Sequence, residues 1–131
     1  MVQELQKNLD KKRKGKIGEN IALFFIYANG GILKDLNWTC RWGEIDLIFY
    51  DKKGIFSCLV FCEVKYRTSN DFGFPTESID HRKLVSQKRA IRNYLHMKGL
   101  ENTNWRFDVI SVLNTGEDMN IKHYKYASEF N

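Results

Sequence analysis

Two short runs of this chain place acids where a strand would ordinarily be apolar: Gly43-Glu44-Ile45-Asp46-Leu47-Ile48 and Phe61-Cys62-Glu63-Val64-Lys65. Residues two apart on a strand share a face at about 7 Å, so Glu63 and Lys65 are expected to project together. A hairpin through Asp51-Lys52-Lys53-Gly54, with a two-residue turn at Lys53-Gly54, would set Asp46 opposite Phe61 and one diagonal step from Glu63. Two carboxylates and one ammonium then meet on one patch. Such a patch suits metal-assisted hydrolysis of a phosphodiester. Mg²⁺ or Mn²⁺ takes oxygen ligands, one or two carboxylates plus waters and substrate phosphate. The metal polarises the phosphoryl group and acidifies a bound water, while a nearby ammonium orients the nucleophile and neutralises developing charge.

The plainer reading of an acid-x-Lys triplet is an exposed strand face with one salt bridge, and an isolated triplet favours it. Against it stands the apolar run Cys58-Leu59-Val60-Phe61-Cys62, which leads straight into Glu63 and reads as a central, buried strand. Charges on such a strand need partners. Glu44 shares the face of Asp46 but lies at the start of its strand, and is expected either to support the metal ligands from behind or to play a structural part.

The elements that must position these groups follow from periodicity. Ile17, Ile21, Phe24, Phe25 and Ala28 recur at helical spacing over Lys16 to Ala28, and a second column of Ala22, Leu23 and Ile26 predicts a helix buried on more than one side. Glu19 heads that second column near the start of the helix, placed either to complement the helix dipole or to join the site. Asn29-Gly30-Gly31 ends the helix. Strands are predicted over Ile32 to Trp38, Glu44 to Tyr50 and Phe56 to Tyr66, followed by a loop, Arg67 to Ser78, with Gly73 and Pro75. Asp80 to Lys98 reads as a helix with Leu84, Gln87, Ala90, Ile91, Tyr94, Leu95 and Met97 on one side and Lys88, Arg89, Arg92 and His96 on another. Trp105 to Leu113 is a fourth strand, and Ile121 to Tyr126 a short edge strand. The order αβββαβ implies an α/β fold with a mixed central sheet and helices on its faces.

Composition sets bounds on this reading. A chain of 131 residues supports one domain, here 15–131, preceded by a basic lead-in, 1–14, that is either frayed or helical. A net charge of +5 favours an anionic partner. The basic lead-in is either a solvated tail or a phosphate contact. Cys40, Cys58 and Cys62 form no CxxC pair, and their odd number is unlike a secreted disulfide framework. His81, His96 and His123 show no zinc-ligand spacing. The longest apolar run, Ile21 to Ala28, is far short of a membrane span, so a cytoplasmic, membrane-free protein is expected.

Taken together, Gly18-Glu19-x-x-Ala22, Asn37-Trp38, Gly43-Glu44-Ile45-Asp46-Leu47-Ile48, Glu63-Val64-Lys65-Tyr66-Arg67, Phe72-Gly73, Lys83, Tyr94-Leu95 and Arg106-Phe107-Asp108-Val109-Ile110 closely resemble the YraN-like family of predicted bacterial endonucleases. The resemblance runs from Gly15 to Leu113. Through that family the chain is similar to the PD-(D/E)XK superfamily of restriction endonucleases and archaeal Holliday-junction resolvases, which implies a restriction endonuclease-like αβββαβ core. It also implies roles: Asp46 and Glu63 as metal ligands, Lys65 as the catalytic lysine, and Glu19 as the helix-borne glutamate near the metal.

The expectation is therefore a Mg²⁺- or Mn²⁺-dependent endonuclease acting on DNA, possessing catalytic Asp46, Glu63, Lys65 and Glu19. Lys83, Lys88, Arg89, Arg92 and Arg67 are candidate contacts to nucleic acid, although a basic helix face is most often simply solvated. Two alternatives stay open: a non-catalytic nucleic-acid-binding module, and a structural partner within a DNA-processing complex. A homodimer also stays open, because one domain carries one site and a double-strand cut requires two.

Overall fold

A computed structural model describes residues 1–53, 55–68 and 81–127. Seven elements follow one another: α1 (Val2–Ala28), β1 (Ile32–Cys40), β2 (Gly43–Lys53), β3 (Phe56–Thr68), α2 (His81–Met97), β4 (Trp105–Asn114) and β5 (Met119–Tyr124). The basic lead-in is helical and continuous with α1. Gly54 of the expected turn, and Gly73 and Pro75 of the expected loop, lie outside the described residues.

The strands form one mixed sheet in the order β1-β2-β3-β4-β5. Only β3 and β4 run parallel among these neighbours. A parallel pair needs a long crossover, and α2 lies on that connection. Helices cover both faces, as the mixed α/β expectation requires. On one face Ala22 and Ile26 of α1 pack with Leu47, Phe49, Val60, Cys62, Ile110 and Val112. On the other, Leu84, Ala90, Ile91, Tyr94 and Leu95 of α2 pack with Ile45, Ile48, Leu59, Phe61, Phe107 and Val109. Strand β3 thus sends Leu59 and Phe61 one way and Val60 and Cys62 the other, which is why its sequence lacks the polar alternation of a half-exposed strand. Each such side chain, fully buried, contributes about 1.5–3 kcal/mol.

Three expectations are corrected. Helix α1 fully buries only the column Gly18, Ala22 and Ile26, with Ile21, Leu23 and Phe25 half-buried against the same core. Ile17 and Phe24 of the other column are 46% and 79% exposed, because the sheet offers the helix a single face. Met97, at the very end of α2, lies beyond the core and is exposed. Finally, β2 pairs with β3 from Leu47↔Cys62 to Lys53↔Phe56, so the next residues past the last pair are Asp46 and Glu63 rather than Asp46 and Phe61. This register closes the core with the apolar pairs Ile48–Phe61 and Leu47–Cys62 and keeps the acid off the Phe61 ring. No helix among the described residues is long and apolar enough to cross a membrane.

Candidate metal centre

The last paired residues of β2 and β3, Leu47 and Cys62, mark where the two strands part. Asp46 stands at that fork, and its Oδ2 accepts the Val64 N–H at 2.8 Å, a side-chain acceptor where the ladder would have supplied a carbonyl. Two glycines bring further acids to it. Gly18 lets α1 approach β3 closely, since a Cβ there would lie 2.6 Å from the Cβ of Tyr66. The residue after it, Glu19, is thereby held over the fork. Gly43 takes φ +136° at the head of β2, a conformation that L side chains rarely adopt, and Glu44 follows it.

Carboxylate oxygens of Glu19, Glu44 and Asp46 lie within 4.8 Å of one another. Asn37 of β1 fixes the first of them, its Nδ2 donating to Glu19 Oε2 at 3.1 Å. Asn37 has φ 51°, in the left-handed region that asparagine tolerates better than most residues. The register, Leu36↔Leu47 and Trp38↔Ile45, puts it across from Asp46. Burial, opposed by the Val64 hydrogen bond and then reinforced by the charges of Glu63, Glu19 and Glu44, raises the Asp46 carboxyl from the ordinary 3.8 to about 7.

Glu63 is buried, and among the described residues it is held by two lysines. Its Oε1 takes Lys83 of α2 and, at 3.4 Å, Lys65. Its Oε2 is buried with no hydrogen-bond partner among the described residues. Burial, and then the neighbouring Lys83, push the Lys65 ammonium below the ordinary lysine value, with Glu63 pulling the other way.

The fork opens into a cleft of about 670 Å³ lined by Glu19, Asp46, Val64, Lys65, Tyr66 and Arg67 and, from the N-terminal half of α1, by Lys7, Asp10, Lys11, Lys14 and Gly15. Of the residues expected from sequence, Asp46, Glu19, Lys65 and Arg67 therefore meet in one cleft. Glu63 lies outside its lining and reaches it only through Lys65 and the charge it exerts on Asp46. Lys83 holds Glu63, whereas Lys88, Arg89 and Arg92 stand on α2 and do not line the cleft. Arg89 instead lies over the ring of Trp42, as does Arg41. Glu44, expected from sequence to support the ligands or to be structural, stands within the carboxylate cluster itself. The signal was present, because Glu44 is two residues from Asp46 on one strand.

The donor set fits a hard divalent cation. Three carboxylates spread over little more than twice a metal–oxygen distance of about 2.1 Å, which small side-chain movements close. A cation there would offset both the burial of the Asp46 charge and the neighbouring acids that add to it.

A model of the uncharacterised protein family UPF0102 matches residues 18–112. The chain is 38% identical to a UPF0102 protein of Photobacterium profundum over 118 residues, 88% of this chain and 90% of that one. It is 34% identical to a UPF0102 protein of Myxococcus xanthus, with 87% of each chain covered. A UPF0102 protein of Moorella thermoacetica is 36% identical over 79% of this chain and 83% of its own.

Proposed function

The chain belongs to the uncharacterised protein family UPF0102, and on that premise we propose that it is a divalent-metal-dependent endonuclease hydrolysing DNA phosphodiester bonds. One observation carries the reading: Glu19 and Asp46, two of the three clustered acids, line a cleft whose lining also holds Lys7, Lys11, Lys14, Lys65 and Arg67 beside the single further acid Asp10. Cations at the wall attract a polyanion, and carboxylates at the floor would repel it unless a metal bridges the two.

Asp46, Glu44 and Glu19 would hold Mg²⁺ or Mn²⁺, with Asn37 fixing the orientation of Glu19 through its hydrogen bond. The metal, when bound, supplies Lewis-acid polarisation of the phosphoryl group and a water of lowered pKa. Lys65 lines the same cleft as Asp46, and there its ammonium would orient the attacking water and meet the charge that develops on the phosphoryl oxygens. Glu63 and Lys83 secure Lys65: one carboxylate oxygen binds both ammonium groups, so the Lys65 head is held rather than free to rotate. Arg67, two residues on, reaches the same cleft and is a contact for substrate phosphate.

The test is cleavage of a panel of linear, flapped and four-way-branched DNA with Mg²⁺, with Mn²⁺, and with chelator. Metal-dependent cutting that disappears in Asp46→Ala is the expected result. Binding without cutting on every substrate and with either metal would replace the enzyme by a binding module.

A further inference from the structure

We infer that the N-terminal half of α1 is a track for a nucleic-acid backbone, with Lys7, Lys11 and Lys14 as its phosphate contacts. This rests on the nucleic-acid reading above and assigns the surface that leads the strand to the carboxylates. Helix α1 is one rod of 27 residues, yet it meets the sheet only from Gly18 onward, and residues 1–17 are all exposed. At 100° per residue Lys7, Lys11 and Lys14 fall within about 60° of one another and in line with Gly18. The helix face that is buried at Gly18, Ala22 and Ile26 therefore continues beyond the sheet as a column of lysines. Those three residues line the same cleft as Glu19, Asp46, Lys65 and Arg67.

A helix face shaped to dock on protein would keep its apolar column there. Three ammonium groups in that place suit a repeating anion instead. Lys7 to Lys14 spans about 10 Å along the helix, the rise of about three nucleotides of one duplex strand. Residues 2–16 hold six cationic side chains against two acidic ones, Glu4 and Asp10, so the whole segment is complementary to a polyanion. Asp10 shares the cleft wall, and its Oδ1 accepts from Gln6 at 3.1 Å. Lys12, Arg13 and Lys16 point to the opposite side of the helix, about 140° to 240° away from Lys7, and do not line the cleft. They supply a control of equal charge. The UPF0102 match begins at residue 18, so the track lies outside the segment that the family model covers.

The experiment measures equilibrium binding of a labelled DNA duplex to the full chain by fluorescence anisotropy across a range of KCl, in chelator so that no cleavage intervenes. Lys7→Gln/Lys11→Gln/Lys14→Gln should weaken binding at least tenfold near physiological salt. It should also reduce the slope of log affinity against log salt by about 2 to 3, from three lost contacts at about 0.7–0.9 each. Lys12→Gln/Arg13→Gln/Lys16→Gln removes the same charge and should change affinity by less than threefold and the slope by less than about 1. Circular dichroism of both variants checks that α1 remains helical. Equal effects of the two triples overturn the track in favour of undirected helix charge. If neither triple has an effect while the parent binds and cuts, the track is refuted and the endonuclease reading stands. A parent chain that binds anionic lipid vesicles but no duplex at low salt overturns both.

Discussion

Replacing Asp46 by asparagine should stabilise the metal-free protein above neutral pH. The folded state raises this carboxyl from 3.8 to about 7. A carboxyl whose folded pKa lies above its unfolded one binds its proton more tightly in the native chain, so its stabilisation is complete below the unfolded pKa and is lost as pH rises through the folded one. The loss therefore begins near pH 4 and levels off above about pH 7. About three pKa units at 1.36 kcal/mol each set a ceiling of roughly 4 kcal/mol, and local relaxation brings the expected gain to about 2–3 kcal/mol at pH 8. The asparagine amide would retain an oxygen to accept the Val64 N–H, so that bond does not confound the comparison. Urea unfolding of parent and Asp46→Asn in chelator, at steps between pH 4.5 and 8, reads the difference directly. It should widen with pH, and saturating Mn²⁺ should close it by stabilising the parent alone. A variant no more stable than the parent at pH 8, or a difference that does not vary with pH, would refute the account of Asp46 as an acid raised by burial and, beyond that, by the charges of Glu63, Glu19 and Glu44.

Glu44→Gln should lower Mn²⁺ affinity at least tenfold by calorimetric titration, comparably to Glu19→Gln, and an unchanged affinity would remove Glu44 from the cluster. Lys65→Met should abolish most cleavage while sparing Mn²⁺ affinity; because Lys83 still pairs with Glu63, the loss of stability should stay near 1 kcal/mol, and a much larger loss in thermal unfolding would make Lys65 structural. Asp108→Ala should destabilise by about 3–5 kcal/mol in urea without altering the metal affinity of the folded chain, since Asp108 is fully buried and accepts from Arg106 Nε, His123 Nε2 and the Tyr126 N–H.

Period and pattern made most of the architecture legible. The apolar run Cys58 to Cys62 marked β3 as central, and the face of α2 from Leu84 to Leu95 was complete in sequence because both are decided by local repeats that tertiary context does not override. That Asp46 and Lys65 would stand close together was legible for the same reason: they interrupt a strand pattern, and both line one cleft. What escaped was set by relations between elements. Whether Ile17 and Phe24 were core or surface depended on how many faces α1 could bury, which the helix does not encode by itself. The pairing of Glu63 depended on Lys83 reaching across from α2, and the clustering of Glu44 on Glu19 arriving from α1. The hairpin register was off by one turn position, a quantity that alternation leaves undetermined, because a shift by two residues keeps every side chain on its face.

The contact between Gly18 and Tyr66 is a fulcrum. Lys7 lies eleven residues from it, about 16 Å along a stiff helix, so a 10° tilt at the contact swings that lysine by about 3 Å. A methyl group at position 18 would meet the Tyr66 Cβ at 2.6 Å and force such a tilt. A change of one methyl in the core would then displace the far end of the rod by most of the distance between neighbouring bases, with no charge altered. Packing at the base of the helix thus sets where its distant lysines stand.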